Sequence, residues 1–411
     1  MSRDAALIME RCDELATLSS NPEHLERLHL SREHAAANAL VGEWMRQAGL
    51  STWQDAAGNQ CARLEGSSPD LPALLLGSHI DTVPDAGRYD GMLGVLLAIA
   101  VAGRIHSSGR ALPFALEVVA FSDEEGTRFG TALLGSRALA GAWDDALFEL
   151  TDADGITLFE AMQDFGLDPA RLPGAARRRE SLVGYLEAHI EQGPILEDLG
   201  KSLAAVTSIA GARRFSLTMT GKAGHAGGTP FEKRRDALVG ASELVVAVEA
   251  LSREYGTIGT VGRLQAFPGG VNVIPGRVDF SLDLRAEHDA DRDTCLRRIR
   301  ETAEDICARR GLSFESTEIY TAPAVRCDPG LRAAIESGIR STGDAAPVAF
   351  HSRAGHDGVA ISSVTDFAML FIRCAGGISH HPDESVIEAD VAVALDAFEA
   401  AVWAVAAGYT G

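Results

Sequence analysis

Positive charge is what this chain has least of. Its 37 Lys+Arg face 58 Asp+Glu, for a formal net charge of −21. Nucleic acids and anionic membranes are gripped by basic surface, so neither is an expected partner. Cysteine is sparse and scattered: Cys12, Cys61, Cys295, Cys307, Cys327 and Cys374 form no C-x-x-C pair. In a chain this long that argues against a disulfide framework and predicts reduced thiols in the cytoplasm. Long apolar runs are missing too. Residues 92–103 are interrupted by Gly94 and followed by Arg104, short of the ~18 residues a membrane span needs. The opening MSRDAALIMERCDE carries acids where a signal peptide needs an apolar core. No internal repeat or low-complexity linker occurs. A soluble, cytoplasmic protein is expected.

What is present is ordinary globular material, 46% hydrophobic and 23% charged over 411 residues, enough for more than one domain. Helical periodicity covers roughly the first seventeen residues and residues 31–49. PALLLGSHID then reads as a buried strand, GMLGVLLAIAVAG as a helix, FALEVVAFSDEEG as a strand, residues 133–140 as a helix and LVGYLEAHIEQG as a strand. Aliphatic strands alternating with helices predict an α/β domain with a mostly parallel central sheet, whose ligands gather beyond the strand carboxyl ends. From Arg213 the rhythm becomes β-α-β-β-α-β: RFSLTMTG, FEKRRDALVGASELVVAVEALSRE, TIGTVGRLQAF, RVDFSLDLRA, DADRDTCLRRIRETAEDICARR and LSFESTEIY. That order is the ferredoxin-like split unit. The expected organisation is therefore a domain of residues 1–212 and 328–411 interrupted by an inserted domain of residues 213–327.

Polar residues collect where those strands end. In GSHIDTV, His79 and Asp81 are two apart on an extended chain and share a side. Asp81 suits the carboxylate that fixes a ligating imidazole's tautomer. Asp90 precedes Gly91 at a helix start, where it reads equally as an N-cap. In SDEEG, three consecutive acids repel one another and call for a cation, and one of Glu124 and Glu125 can ligate while the other stays free. EAHIEQGP adds His189 and Gln192, and GGISHHPDE adds His380 and His381. A mixed N/O ligand set suits Zn²⁺ or Mn²⁺. The remaining histidines at 24, 29, 34, 106, 288 and 351 read as structural or exposed.

Together GSHIDTV, YDGMLGV, DEEGTRFG, LLGSRALAG, HIEQGPILE, GHAGGTP, RRDAL, VNVIPG, AGHDG and GISHHPDE resemble the amidase/carbamoylase branch of the aminoacylase-like metallohydrolases, from about residue 20 to the end. The resemblance implies a zinc-peptidase-like catalytic domain, an inserted lid and dimerisation domain, and a homodimer. It implies two divalent ions per subunit, Zn²⁺ or Mn²⁺, with Co²⁺ or Ni²⁺ able to substitute in vitro. Asp90 would bridge them, His79 and Glu125 would serve opposite ions, and His189 and His380 would each take one. Glu124 is implied as general base, with Asp81 orienting His79. For the substrate it implies Gln192, Asn272, Arg285 and the Gly355-His356 pair, with His225 acting across a dimer interface in substrate binding or oxyanion stabilisation, and Arg214 is expected at the same cleft. The branch commonly reads S-G-A-G-H-D where this chain has Ser352-Arg353-Ala354-Gly355-His356-Asp357.

The expected reaction is metal-dependent cleavage of the ureido C–N bond of a small carboxylate. Allantoate leads, because RYDGMLGV and CAGGISHHPDE look most like allantoate amidohydrolases. N-carbamoyl-L-amino acids or N-carbamoyl-β-alanine are the alternatives. A binding protein that keeps the fold without the chemistry is the rival from another class. A serine or cysteine hydrolase is disfavoured, since no G-x-S-x-G elbow and no cysteine beside a base occur.

Overall fold

The computed structural model describes residues 3–410, which separate into two compact units. One contains the described residues up to Thr207, Arg326–Phe350, and those from Ala354 onward; the other contains Ser208–Val325 and His351–Arg353.

The first unit is built on a sheet whose strands run Ser51–Gln54, Gln60–Leu64, Ala115–Phe121, Ala73–His79, Leu182–Ile190, Phe367–Ile372, Leu203–Ile209 and Val325–Arg326, with Val348–Ser352 also paired to Leu203–Ile209. Its centre is parallel: Ala115–Phe121, Ala73–His79, Leu182–Ile190 and Phe367–Ile372 run together. Its flanks are antiparallel, Gln60–Leu64 against Ala115–Phe121 on one side and Leu203–Ile209 against Phe367–Ile372 on the other. The sheet is thus mixed, where a mostly parallel one is expected from sequence. The antiparallel strands are Ser51–Gln54, Gln60–Leu64 and Leu203–Ile209. The first two form a hairpin with a short connection, while Gln60–Leu64 and Leu203–Ile209 meet the parallel centre through partners distant in sequence.

Ala73–His79 and Ala115–Phe121 are buried at every position, as strands covered on both faces should be. The helix Met92–Ser108 lies directly on this sheet. A Cβ on Gly94 would come within 2.0 Å of the Ala188 carbonyl oxygen, so only glycine allows that approach. One expectation is corrected here: the helix Glu388–Gly408, with its few acids spread along it, is apolar and long enough to cross a membrane by length and composition. Its Val391, Leu395, Phe398 and Val402 are buried, and it packs against the helix Pro329–Ser341.

The second unit has an antiparallel sheet ordered Leu264–Phe267, Arg277–Ala286, Gly211–Thr220, Ser313–Ala322, with Ile258–Thr260 also on Arg277–Ala286. Arg277–Ala286 alternates strictly, burying Val278, Phe280, Leu282, Leu284 and Ala286. Val278, Phe280, Leu282 and Leu284 share a core with Leu244 and Val248 of the helix Ala237–Tyr255 and Leu296, Ile299 and Ile306 of the helix Asp289–Arg310. Two local expectations are corrected. FEKRRDALV does not continue the helix: Phe231–Lys233 is a separate 3₁₀ turn, and Asp236 starts the helix by accepting the Leu238 and Val239 N–H groups. TIGTVGRLQAF is two strands, Ile258–Thr260 and Leu264–Phe267, not one.

Candidate metal centre

Ala73–His79, Ala115–Phe121 and Leu182–Ile190 are parallel neighbours, so their carboxyl ends lie side by side. His79 is the last residue of its strand, Glu124 and Glu125 follow theirs within a few residues, and His189 is the penultimate residue of the third. Asp90 comes from the loop leading into Met92–Ser108. The N-cap of that helix is Gly91, with no side-chain cap, so the Asp90 carboxylate is not spent on capping. Gly91 has φ +70, and a Cβ there would sit 2.5 Å from the His79 ring. Glycine is required twice over at that position.

Asp90 is 5% exposed and lies among three imidazoles. Its Oδ1 is 3.1 Å from His189 Nε2 and 3.7 Å from His79 Nε2. Its Oδ2 is 3.1 Å from His380 Nε2, and His380 Nε2 is 3.6 Å from Glu125 Oε1. Potential donor atoms therefore fall into adjoining groups that share Asp90: His79, Asp90 and His189 on one side, and Asp90, Glu125 and His380 on the other. His79, Glu124 and Glu125 form a further group. Of the two neighbouring histidines, His380 reaches this cluster, while His381 lies beside Asp383 with Nδ1 accepting the Asp383 N–H.

Whether a cation fits is decided by the imidazole tautomers. His79 Nδ1 lies 3.1 Å from the Asp81 carbonyl oxygen, and His189 Nδ1 lies 2.9 Å from the Ile190 carbonyl oxygen. A carbonyl only accepts, so each Nδ1 carries the proton of a neutral ring and each Nε2 lone pair is left for a ligand. His189 Nε2 and Asp90 Oδ1 are buried and make no hydrogen bond. Such atoms are costly unless something binds them. The donor set fits divalent ions of the Zn²⁺ or Mn²⁺ class.

The electrostatics give the same answer. Burial works against a charged Asp90, but the imidazoles of His189, His380 and His79 outweigh it and hold the carboxyl well below its ordinary range. Burial, then Asp90, pushes Glu125 up to about 7, and burial with neighbouring acids raises Glu124 well above its usual value. Asp90 draws His380 up to about 9. Without metal the site balances acids against protons, a role that a cation would take over.

Asp81 has a wider part than orienting His79. The His79 Nδ1 proton goes to its backbone carbonyl, with Oδ1 at 3.4 Å. Its carboxylate oxygens accept the backbone N–H groups of Glu124 at 2.9 Å and Glu125 at 3.1 Å. One side chain thus ties two of the strand-end loops together. Gln192, at φ +57, donates from Nε2 to Asp90 Oδ2 at 2.8 Å. His356 is 1% exposed, with its ring edge-on to His189 at 4.4 Å between centroids. The neighbouring Asp357 is buried as well. Gly355 is exposed, and a Cβ there would be 3.8 Å from Glu124 Oε1.

In the second unit, His225 and Asn272 are neighbours. Gly224–His225 pairs with Val273–Ile274, and the Asn272 carbonyl accepts the Ala226 N–H. His225 Nδ1 accepts from Gly228 N–H at 3.0 Å, so the neutral ring presents Nε2–H outward. Arg285 donates to both oxygens of Asp283 and to the Arg353 carbonyl, and Arg214 donates to the same Asp283. Asp283 has a readable signal, two residues before Arg285 on one strand face, that the sequence reading passed over. Glu384 and Ser379, which contact the Asp90 loop, were passed over as well.

Residues 75–404 match the model of peptidase family M20/M25/M40. The chain belongs to that family. Among curated relatives of this M20 chain is an N-carbamoyl-L-amino acid amidohydrolase of Geobacillus stearothermophilus, 40% identical over 98% of each chain. An allantoate deiminase of Arabidopsis thaliana is 39% identical over 95% of this chain and 80% of its own length. A crystal structure of an amidase of the hydantoinase/carbamoylase family from Burkholderia multivorans superposes with a TM-score of 0.90, 32% identity and 98% coverage of both chains. The M20 chain is a hydrolase whose relatives cleave C–N bonds other than peptide bonds, as their names state.

Proposed function

We propose that this M20 chain hydrolyses the ureido C–N bond of a small carboxylate, with two divalent ions held by His79, Asp90, Glu125, His189 and His380. The observation that carries this reading is the Asp90 carboxylate, with one oxygen toward His79 and His189 and the other toward His380. Bound there, Zn²⁺ or Mn²⁺ would supply Lewis-acid polarisation and make hydroxide available near neutral pH. Glu124 takes the proton of the attacking water and passes it to the leaving nitrogen. Burial raises its carboxyl, which suits a group that must both accept and return a proton. Asp81 keeps Glu124 in place through its backbone N–H. The outward Nε2–H of His225 serves as a donor to the developing oxyanion, and Arg285, Arg214, Asn272 and Gln192 hold the carboxylate and polar groups of the substrate.

Allantoate is the proposed first substrate, giving ureidoglycine, ammonia and carbon dioxide with uptake of one water. N-carbamoyl-L-amino acids are a second reading, favoured by the end-to-end match to the Geobacillus stearothermophilus enzyme. Ammonia release from allantoate, ureidoglycolate and a set of N-carbamoyl amino acids, with Mn²⁺ supplied, separates the two. No ammonia from any of them by metal-loaded protein overturns the proposal in favour of a binding protein.

The second unit is proposed to act as a ferredoxin-like lid and dimerisation domain. Its helix Ala237–Tyr255 leaves Val239 and Val246 exposed at 41% and 69%, which supports an apolar contact between copies. Sedimentation at a monomer mass would remove the dimer from this reading. A cytoplasmic location is supported by six cysteines that are all free and buried.

A further inference from the structure

Glu384 is 3% exposed and belongs to neither group of donor atoms. Its Oε1 accepts the backbone N–H of Tyr89 at 2.8 Å and that of Asp90 at 3.1 Å. Its Oε2 accepts the Ser379 hydroxyl at 2.8 Å, and Ser379 Oγ is also 3.0 Å from Asp90 Oδ2. The carboxylate therefore joins two loops 294 residues apart in sequence, one carrying Asp90 and the other His380. The approach is close enough that a Cβ on Gly87 would fall 2.3 Å from Glu384 atoms. His380 has φ +54, a conformation an L residue keeps only when its surroundings hold it there.

The structure assigns Glu384 as a positioning residue that braces the Asp90 and His380 loops, so that one Asp90 carboxylate can serve two metal ions at once. The inference rests on the two-metal reading above. It acts through backbone N–H groups and one hydroxyl, so shape matters more than charge. A glutamine at this position would still accept both N–H groups. Its NH₂ would donate to Ser379 Oγ, leaving the Ser379 hydroxyl free to donate to Asp90.

The test is Mn²⁺ uptake by metal-free, full-length protein, followed by calorimetry and by loss of the free Mn²⁺ resonance signal. Glu384→Ala is expected to weaken at least one uptake step by about 10- to 100-fold. Glu384→Gln should stay close to wild type, and the thermal midpoint of each metal-free variant checks that it is folded. Wild-type uptake by folded Glu384→Ala overturns the brace, and so does loss of uptake in Glu384→Gln equal to that in Glu384→Ala. Should Glu384→Ala not fold, Ser379→Ala removes only the hydroxyl link and should weaken the same step; unchanged uptake by that variant overturns the inference. Failure of wild-type protein to take up two ions sinks the two-metal reading instead, and the two failures are distinct.

Discussion

At the residue scale, two groups lead to different measurements. Glu124 moves the proton in the proposed reaction, and removing such a group costs about 10²- to 10⁴-fold in rate. Glu124→Gln should therefore lower kcat by that amount while Mn²⁺ uptake and KM stay near wild type; unchanged kcat would exclude it as the base. His29 is a buried histidine away from the donor atoms, with Nδ1 against the Ser122 carbonyl. Burial lowers it from 6.5 to about 4. Its folded value lies below its unfolded one, so the unfolded chain binds more protons between those limits. Stability from His29 is complete above about pH 6.5 and is lost as pH falls toward 4, up to about 3 kcal/mol. Urea midpoints of His29→Gln should depend less on pH over that window than those of wild type; equal slopes would exclude the effect. Much of the site was legible at this scale, because His79, Glu124, Glu125 and His189 stand at the ends of apolar strands that advertise themselves. Glu384 was not legible: its partners, Tyr89 and Asp90, are fixed only when distant loops close. The burial of His356 was not legible either, because exposure cannot be read from a loop motif alone.

Among the elements, the legible ones were those with one physical environment along their length. Ala73–His79 is aliphatic because both its faces are covered, and Arg277–Ala286 alternates because one face is. Ser51–Gln54 and Gln60–Leu64 escaped notice because they are short and only partly buried. With Leu203–Ile209 they make the sheet mixed. The sharpest element-level prediction concerns the seat of the helix Met92–Ser108 on the strand Leu182–Ile190. A Cβ on Gly94 meets backbone, not a side chain that can swing aside. Gly94→Ala should destabilise by about 1–3 kcal/mol, the usual cost of overpacking. A denaturation midpoint equal to wild type would show that the helix shifts at no cost. Gly91→Ala adds an unfavourable φ to a contact with the His79 ring, so it should lose Mn²⁺ affinity as well as stability.

For the whole molecule, a charge of −21 surrounds a site proposed to bind a carboxylate. On the proposed function the general field opposes the substrate, and attraction falls to the proposed ions and arginines at short range. Screening weakens the distant repulsion more than the close contacts, with a Debye length near ~10 Å at 0.1 M salt. KM for the ureido acid should therefore fall as salt rises from low ionic strength; a KM that rises would place the controlling charge elsewhere. The acidity that makes nucleic acids poor partners thus also shapes how the substrate arrives.

The burial of every cysteine has a use of its own. Cys12, Cys61, Cys327 and Cys374 lie in one unit, and Cys295 and Cys307 lie in the other, none more than 8% exposed. A thiol reagent can reach them only when their surroundings open, so the native protein carries a clock for each half. Peptide mapping of labelled sites over time would give the opening rate of each unit separately, with no probe engineered into the chain.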